Sequence, residues 1–275
     1  MRILSEIGLR IVIEKDCSDG GMCMDLKFSV VTVVFNAEDV IAKTIESVLN
    51  QSYVPYEYLI IDGKSTDKTL DIVDSYKDNF ATKQINYRII SEKDTGIYNA
   101  MNKGVKAATG DFISFLNAGD WYELDALKKV NAFYNEDNFD LTYGGLNYIN
   151  PNGSITVKMS KYDKFPITSR HWNHPSMFLK REIYQKYGFD ERFRAYADFH
   201  LYTKLRKTDV KIRVIPEIIT NFPADGVSTD VRMKKVFARA KEKYRIYRDN
   251  GYSVIYWFES YGWEIMKSVY FRIKS

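Results

Sequence analysis

From Phe28 onward, short β-branched runs alternate with stretches of helical periodicity, and this alternation restricts the fold more than any other feature of the chain. Phe28-Ser29-Val30-Val31-Thr32-Val33-Val34-Phe35 has the near-continuous apolar character of a strand covered on both faces. Asn36 then stands where a helix N-cap belongs, and Val40, Ile41, Ile45, Val48 and Leu49 follow at helical spacing. A strand over 58–61 leads to a helix with Leu70, Val73 and Tyr76, and a strand over 87–90 leads to one with Ile97, Met101 and Val105. A fourth strand over 112–116 precedes a helix over 124–134. Such a succession predicts an α/β fold: a mainly parallel, Rossmann-like sheet with right-handed crossovers, flanked by helices.

In open parallel sheets, ligands bind beyond the carboxyl ends of the strands, where helix N-termini and adaptable loops converge. The strand ends here deliver Asn36, then Asp62-Gly63-Lys64-Ser65-Thr66-Asp67, then Glu92-Lys93-Asp94, then Asn117-Ala118-Gly119-Asp120. Any one of these loops is also ordinary turn and cap chemistry. Four on one edge point to a polar site. The loops match neither Gly-x-Gly-x-x-Gly nor Gly-x-x-x-x-Gly-Lys-Ser/Thr, which argues against dinucleotide redox chemistry and a P-loop. An acidic edge suits a metal-bound nucleoside diphosphate, with Asp120 holding a hard divalent cation and Asp62 accepting hydrogen bonds from a base N–H or ribose hydroxyls.

Composition narrows the setting. The 275 residues suffice for a large single domain or a core domain plus an appendage, and a net charge of +4 is too small for wholesale nucleic-acid binding. Cys17 and Cys23 are the only cysteines, so neither a disulfide framework nor a Cys-rich zinc site is expected, and a reducing cytoplasm is the default compartment. No apolar run reaches the roughly 18 residues of a spanning helix. Residues 1–25 lack periodicity and end near Ser18-Asp19-Gly20-Gly21, as expected of a poorly ordered leader, with Met24 as an alternative start. Asn150-Pro151-Asn152-Gly153, between two strand-like runs, signals a hairpin and a second, mixed portion of the sheet.

The motifs from Phe28 to about Leu127, namely Val33-Val34-Phe35-Asn36, Asn50-Gln51-Ser52-Tyr53, Asp62 to Asp67, Ser91-Glu92-Lys93-Asp94-Thr95-Gly96-Ile97-Tyr98 and Leu116-Asn117-Ala118-Gly119-Asp120, resemble family 2 glycosyltransferases of the GT-A fold. The likeness is strongest to bacterial enzymes that build capsule, O-antigen or exopolysaccharide units. It continues more weakly through His174-Pro175-Ser176-Met177-Phe178 and Tyr196-Ala197-Asp198-Phe199. The resemblance implies that Phe35, Asn36, Asp62, Asp94 and Asn117 line the donor pocket and that Asp120 is the last acid of the metal motif, for Mg²⁺ or Mn²⁺. Two departures stand out: Asn117 replaces the motif's first acid, and Gly63 stands where many relatives carry a second acid. The implied plan is a leader over 1–25, a GT-A catalytic domain over 26–225 whose nucleotide-sugar half runs to about 125 with the acceptor half after it, and a C-terminal extension over 226–275.

Inverting transfer requires a base to deprotonate the acceptor hydroxyl. Asp198 opens a helical pattern with Phe199, Leu201, Tyr202 and Leu205, and the matching family segment carries the presumed base there. The spacing alone equally fits an acid that complements a helix dipole. His174 is a candidate contact for the acceptor or a leaving phosphate, although a lone histidine is more often structural. His171 and His200 lack motif support, and His200 should point away from Asp198.

Residues 232–248 are rich in Lys and Arg, including Lys234, Lys235, Lys241 and Lys243, and Tyr252 to Phe271 are rich in aromatics. A basic helix followed by an aromatic one fits attachment to the inner face of the cell membrane, and equally a helical hairpin packed on the catalytic domain or on a second copy of the chain. The expected activity is inverting transfer of a sugar from a nucleotide diphosphate donor, a UDP-sugar being expected, to a lipid-linked or other oligosaccharide acceptor in cell-surface polysaccharide synthesis. The alternatives are a sugar-phosphate nucleotidyltransferase and a non-catalytic nucleotide-sugar-binding scaffold with a degenerate metal motif.

Overall fold

The computed structural model describes residues 24–223 and 232–274; the leader expected over 1–25, apart from its last two residues, lies outside them. The predicted alternation forms as β1 (Phe28–Val34), α1 (Ile41–Leu49), β2 (Glu57–Asp62), α2 (Thr69–Ser75), α3 (Lys77–Thr82), β3 (Asn86–Ser91), α4 (Ile97–Ala107) and β4 (Phe112–Phe115). The helix expected through Tyr76 is broken there into α2 and α3. A two-residue strand, β5 (Trp121–Tyr122), precedes α5 (Ala126–Glu136).

The second portion comprises β6 (Leu141–Ile149), β7 (Ile155–Lys158), β8 (Met177–Lys180), α6 (Arg181–Tyr187), α7 (Ala197–Leu205) and β9 (Ile212–Pro223). The helices α8 (Met233–Asp249) and α9 (Tyr256–Lys274) follow. The sheet order is β3-β2-β1-β4-β8-β6-β9-β5, with β7 on β6. Strands β1 to β4 are mutually parallel where they pair, and β8 joins β4 antiparallel, so the parallel half and the mixed half meet at β4. The expected hairpin forms between β6 and β7, closed by the Asn150 N–H donating to the Ser154 carbonyl at 2.8 Å.

Side-chain alternation along the strands builds two cores. Val30, Tyr58 and Ile60 pack with α1 and α5 on one face, while Val31, Val33, Leu59 and Ile61 pack with α4 and α7 on the other. The second core also takes in Ile246 and Tyr247 of α8 and Tyr256 of α9. The C-terminal pair is therefore docked on the core of the sheet that precedes it. Lys243, read from sequence as part of a basic surface, is instead fully buried, its ammonium 2.7 Å from Glu259. Desolvation lowers its pKa, and the Glu259 carboxylate opposes that shift.

Candidate active site

Asn36 does not cap a helix. It adopts φ +46° just beyond β1, and α1 begins only at Ile41 with Val40 as its uncapped flanking residue. The intervening turn reaches the loop after β2: the Asn36 N–H donates to Ser65 Oγ at 2.9 Å, and Asn36 Oδ1 accepts the Thr66 N–H at 2.8 Å. Asn36 thus ties two strand-end loops together.

Asp62 ends β2 with no solvent exposure. Its carboxylate accepts the hydroxyls of Ser65 at 2.5 Å and Ser91 at 2.6 Å, and the backbone N–H groups of Lys64 and Ser65 at 3.1 and 3.2 Å. A carboxylate offers about four lone-pair sites, so these contacts occupy it. These contacts make Asp62 an organiser of the loop, including Lys64 at φ +70°.

Gly63 explains its own departure from the family pattern. A Cβ there would lie 2.6 Å from Asp94 Oδ2 and 3.3 Å from Phe35 Cδ2. The missing side chain leaves room for a carboxylate delivered from the neighbouring strand end. Asp94 Oδ1 accepts the Gly96 N–H at 3.0 Å, and Phe35 is 62% exposed beside it. An exposed ring next to a carboxylate is a suitable surface for a flat base and its ribose hydroxyls.

The Asn117–Asp120 turn is folded back onto α1 by Thr44, whose hydroxyl accepts the Gly119 N–H at 2.9 Å and donates to the Asp120 carbonyl at 2.8 Å. Gly119 supplies the φ of +99° that the turn needs. Asp120 is 5% exposed, and Asn117 Oδ1 is buried without a hydrogen-bond partner. A carboxylate and an unengaged amide carbonyl on one turn are hard oxygen donors of the kind Mg²⁺ and Mn²⁺ take alongside phosphate oxygens and water. No cluster of three or more acidic, His or Cys ligands occurs among the described residues. A cation here would draw on Asp120, Asn117 and the diphosphate.

Asp198 is the second residue of α7, and its side chain is 15% exposed. Oδ1 accepts the Tyr98 phenol and the Phe199 N–H, both at 2.9 Å, while Oδ2 faces His174 Nδ1 at 3.7 Å. His174 lies among the rings of Phe115, Trp172 and Phe189. Burial lowers its pKa, and the Asp198 charge offsets this only in part. It thus stands beside Asp198 as a buried neighbour whose uncharged form is favoured. Burial first, then the Asp198 charge, raises the Tyr98 pKa well above its ordinary value and keeps the phenol a donor. His171 pairs with Asp163 at 2.9 Å, and His200 packs on Phe193.

The family model for glycosyl transferase family 2 matches residues 29–206, more than half of the chain. The chain belongs to glycosyl transferase family 2. It is 32% identical over 179 residues to a PGL/p-HBAD biosynthesis glycosyltransferase of Mycobacterium bovis, covering 62% of this chain and 66% of that protein. It is also 33% identical over 130 residues to a poly(ribitol-phosphate) beta-glucosyltransferase of Bacillus spizizenii, covering 46% of this chain and 20% of that enzyme. The match thus spans just under two thirds of the mycobacterial relative. In structure the chain resembles S. aureus TarS 1-349 in complex with UDP, with a TM-score of 0.59 and 20% identity, covering 88% of this chain and 71% of that one. It likewise resembles the mannosyltransferase PcManGT of Pyrobaculum calidifontis in complex with GDP-Man and Mn²⁺, with a TM-score of 0.63 and 17% identity, covering 90% and 74%. The fold is the GT-A arrangement of family 2.

Two residues that the structure brings to the site are not evident as such from sequence. Tyr98 belongs to the Ser91–Tyr98 motif, four residues after Asp94, and so carries a detectable signal; Thr44 carries none.

Proposed function

We propose that this protein is an inverting glycosyltransferase that moves a sugar from a nucleoside diphosphate donor, a UDP-sugar, onto a hydroxyl of a lipid-linked glycan. The observation that carries this reading is the Asp198 carboxylate, held by Tyr98 of α4, the helix that begins directly after the Asp94–Gly96 turn. In the reaction the acceptor oxygen bonds to the anomeric carbon, the bond from that carbon to the diphosphate oxygen breaks, and the diphosphate leaves with the electron pair. Asp198 takes the acceptor proton. Because Oδ1 already accepts two hydrogen bonds, Oδ2 is the oxygen suited to receive it. Phe35 and Asp94 would receive the base and ribose, and Asn36 holds the loops that frame them. Asp120 and Asn117 would hold Mg²⁺ or Mn²⁺, which when bound offsets charge developing on the departing diphosphate.

We place the enzyme peripherally, on the cytoplasmic face of the membrane. The support is the inverted amphipathicity of α9. Ser260, Glu264 and Ser268 are buried, whereas Phe258, Met266 and Val269 are at least half exposed at 70%, 56% and 50%. Lys234, Lys235 and Lys241 of α8, the helix packed against α9, are exposed, so the hairpin carries both exposed apolar side chains and positive charge, as anionic lipid requires. No helix among the described residues is long and apolar enough to cross a membrane. Self-association through the same stripe is the alternative occupant, and sedimentation without lipid detects it.

The reading is tested by screening nucleotide sugars with Mg²⁺ or Mn²⁺ for thermal stabilisation, then following transfer and the product's anomeric configuration by NMR. A stabilising UDP-sugar and an inverted product are expected. Donor binding without transfer to any glycan acceptor would favour a binding scaffold, and pyrophosphate release from a nucleoside triphosphate and a sugar phosphate would indicate a nucleotidyltransferase.

A further inference from the structure

The helix α7 that carries Asp198 begins without a side-chain cap of its own: Tyr196 flanks it at φ −140° and makes no capping hydrogen bond. The first backbone donors of a helix need partners. For the segment leading into α7 they come from a different part of the chain. Glu242 Oε1, on α8, accepts the N–H of Ala195 at 2.7 Å and of Tyr196 at 2.8 Å. The same residue is held a second time, by its side chain. The Tyr196 phenol donates to Glu264 Oε1 of α9 at 2.6 Å, and Glu264 Oε2 accepts Arg239 Nε of α8 at 2.9 Å. Arg239 and Glu264 are 7% and 1% exposed.

We propose that the α8–α9 hairpin is part of the catalytic apparatus and that Glu242 is a positioning residue that sets the approach of the Asp198 carboxylate to the acceptor. The proposal rests on Asp198 being the base. Apolar contacts alone would hold the hairpin on the core, as Ile246, Tyr247 and Tyr256 already do. They would not determine the orientation of two peptide units. A carboxylate shared between two N–H groups does, because such bonds are short and directional. The effect reaches the catalytic oxygen through two residues of backbone. Glu242 also contributes, after burial and the Asp198 charge, to holding the proton on Tyr98, so it lies within electrostatic range of the phenol that fixes Oδ1. Helix α7 is also tied, from its middle onward, to the residue that ends α8, where Asn250 Nδ2 donates to the His200 carbonyl and to Thr203 Oγ1. The C-terminal helices thus contact both the entry to the Asp198-bearing helix and its body.

Reach and charge are separable at this position. Glu242→Gln keeps an oxygen at the same distance but removes the charge, Glu242→Asp keeps the charge but withdraws it by a methylene, and Glu242→Ala removes both. Displacement of a reacting group by about 1 Å can cost on the order of a hundredfold in rate. Accordingly Glu242→Ala and Glu242→Asp should lose about ten- to a hundredfold in kcat with donor KM within about twofold of wild type, and Glu242→Gln should recover to within about fivefold. Hydrogen exchange at the Ala195 and Tyr196 amides should be slow in wild type and in Glu242→Gln, and fast in the other two. Glu242→Gln and Glu242→Asp retain most of the side chain and keep the comparison open should Glu242→Ala fold poorly. Wild-type kcat in Glu242→Asp, a loss in Glu242→Gln equal to that in Glu242→Ala, or a parallel loss of donor affinity would each overturn the proposal. Absence of sugar transfer by the wild type would instead defeat the glycosyltransferase reading, and the amide exchange would then decide the positioning claim alone.

Discussion

The Tyr98 phenol and the Asp198 carboxylate, a hundred residues apart in the chain, are joined by a 2.9 Å hydrogen bond. Tyr98 is the second residue of α4, which begins directly after the Asp94–Gly96 turn, so the bond connects the proposed donor side with the proposed base. Tyr98→Phe removes this bond and little volume, freeing Oδ1 while leaving the ring packed on Phe189. We expect kcat to fall about tenfold, as loss of one positioning hydrogen bond worth about 1.5 kcal/mol implies. Donor affinity measured by calorimetry should be unchanged, and a weakened affinity with normal kcat would contradict the assignment.

Asp120→Ala should abolish the metal-dependent part of nucleoside diphosphate binding while shifting the melting temperature little, because the side chain lies on a turn already held through its backbone by Thr44. Asn117→Ala should weaken the same dependence, since its buried carbonyl has no other partner. Titration with the diphosphate in Mn²⁺ and in EDTA measures both, and identical curves in the Asp120 variant and wild type would refute the role.

Burial lowers the pKa of both His174 and His200 from 6.5, with Asp198 and Asp190 respectively opposing the shift. Below that pH the unfolded chain binds protons that the folded chain resists. Stability should therefore be complete above about pH 6.5 and fall as the solution is acidified, by at most about 1.4 kcal/mol per pH unit for each imidazole. Urea unfolding between pH 7.5 and 5.5 measures the slope, and His200→Gln should reduce it. Stability that rises on acidification through this window would contradict the buried, uncharged assignment.

Replacing Lys234, Lys235 and Lys241 with Gln should remove on the order of 1 kcal/mol of attraction to anionic vesicles per charge, without affecting transfer to a short water-soluble acceptor. Lys243 does not belong to that set. Lys243→Met would strand the Glu259 carboxylate, which is 8% exposed, and should cost about 3 kcal/mol of stability. Co-sedimentation and thermal denaturation separate the two effects, and wild-type vesicle binding that is absent or unaffected by salt would count against lipid attachment.

The strands, the polar edge and the helix bearing Asp198 were legible because each is written in contiguous residues: β-branched runs, turn residues at strand ends, and helical spacing after Asp198. Contacts between distant segments were not. Asn36 has the chemistry of an N-cap, and only the approach of the β2 loop shows that its side chain is used there instead. Asp62 reads as a strand-end acid, and its hydrogen bond from Ser91 of the adjacent strand becomes visible only once β2 and β3 are paired. Periodicity could not tell whether the basic and aromatic helices faced solvent, since α9 buries its serines and glutamates and exposes much of its apolar surface. The burial of Lys243 depends on Glu259, sixteen residues on in the next helix.

The most direct test of the account is the single-turnover rate of Asp198→Asn with the donor and acceptor identified for the wild type. The amide preserves the shape of the side chain but cannot take the acceptor's proton, so transfer should slow by at least about a hundredfold. Donor affinity and melting temperature should stay near wild type. Transfer at the wild-type rate would show that Asp198 is only a helix-start acid and would remove the centre of the proposed mechanism.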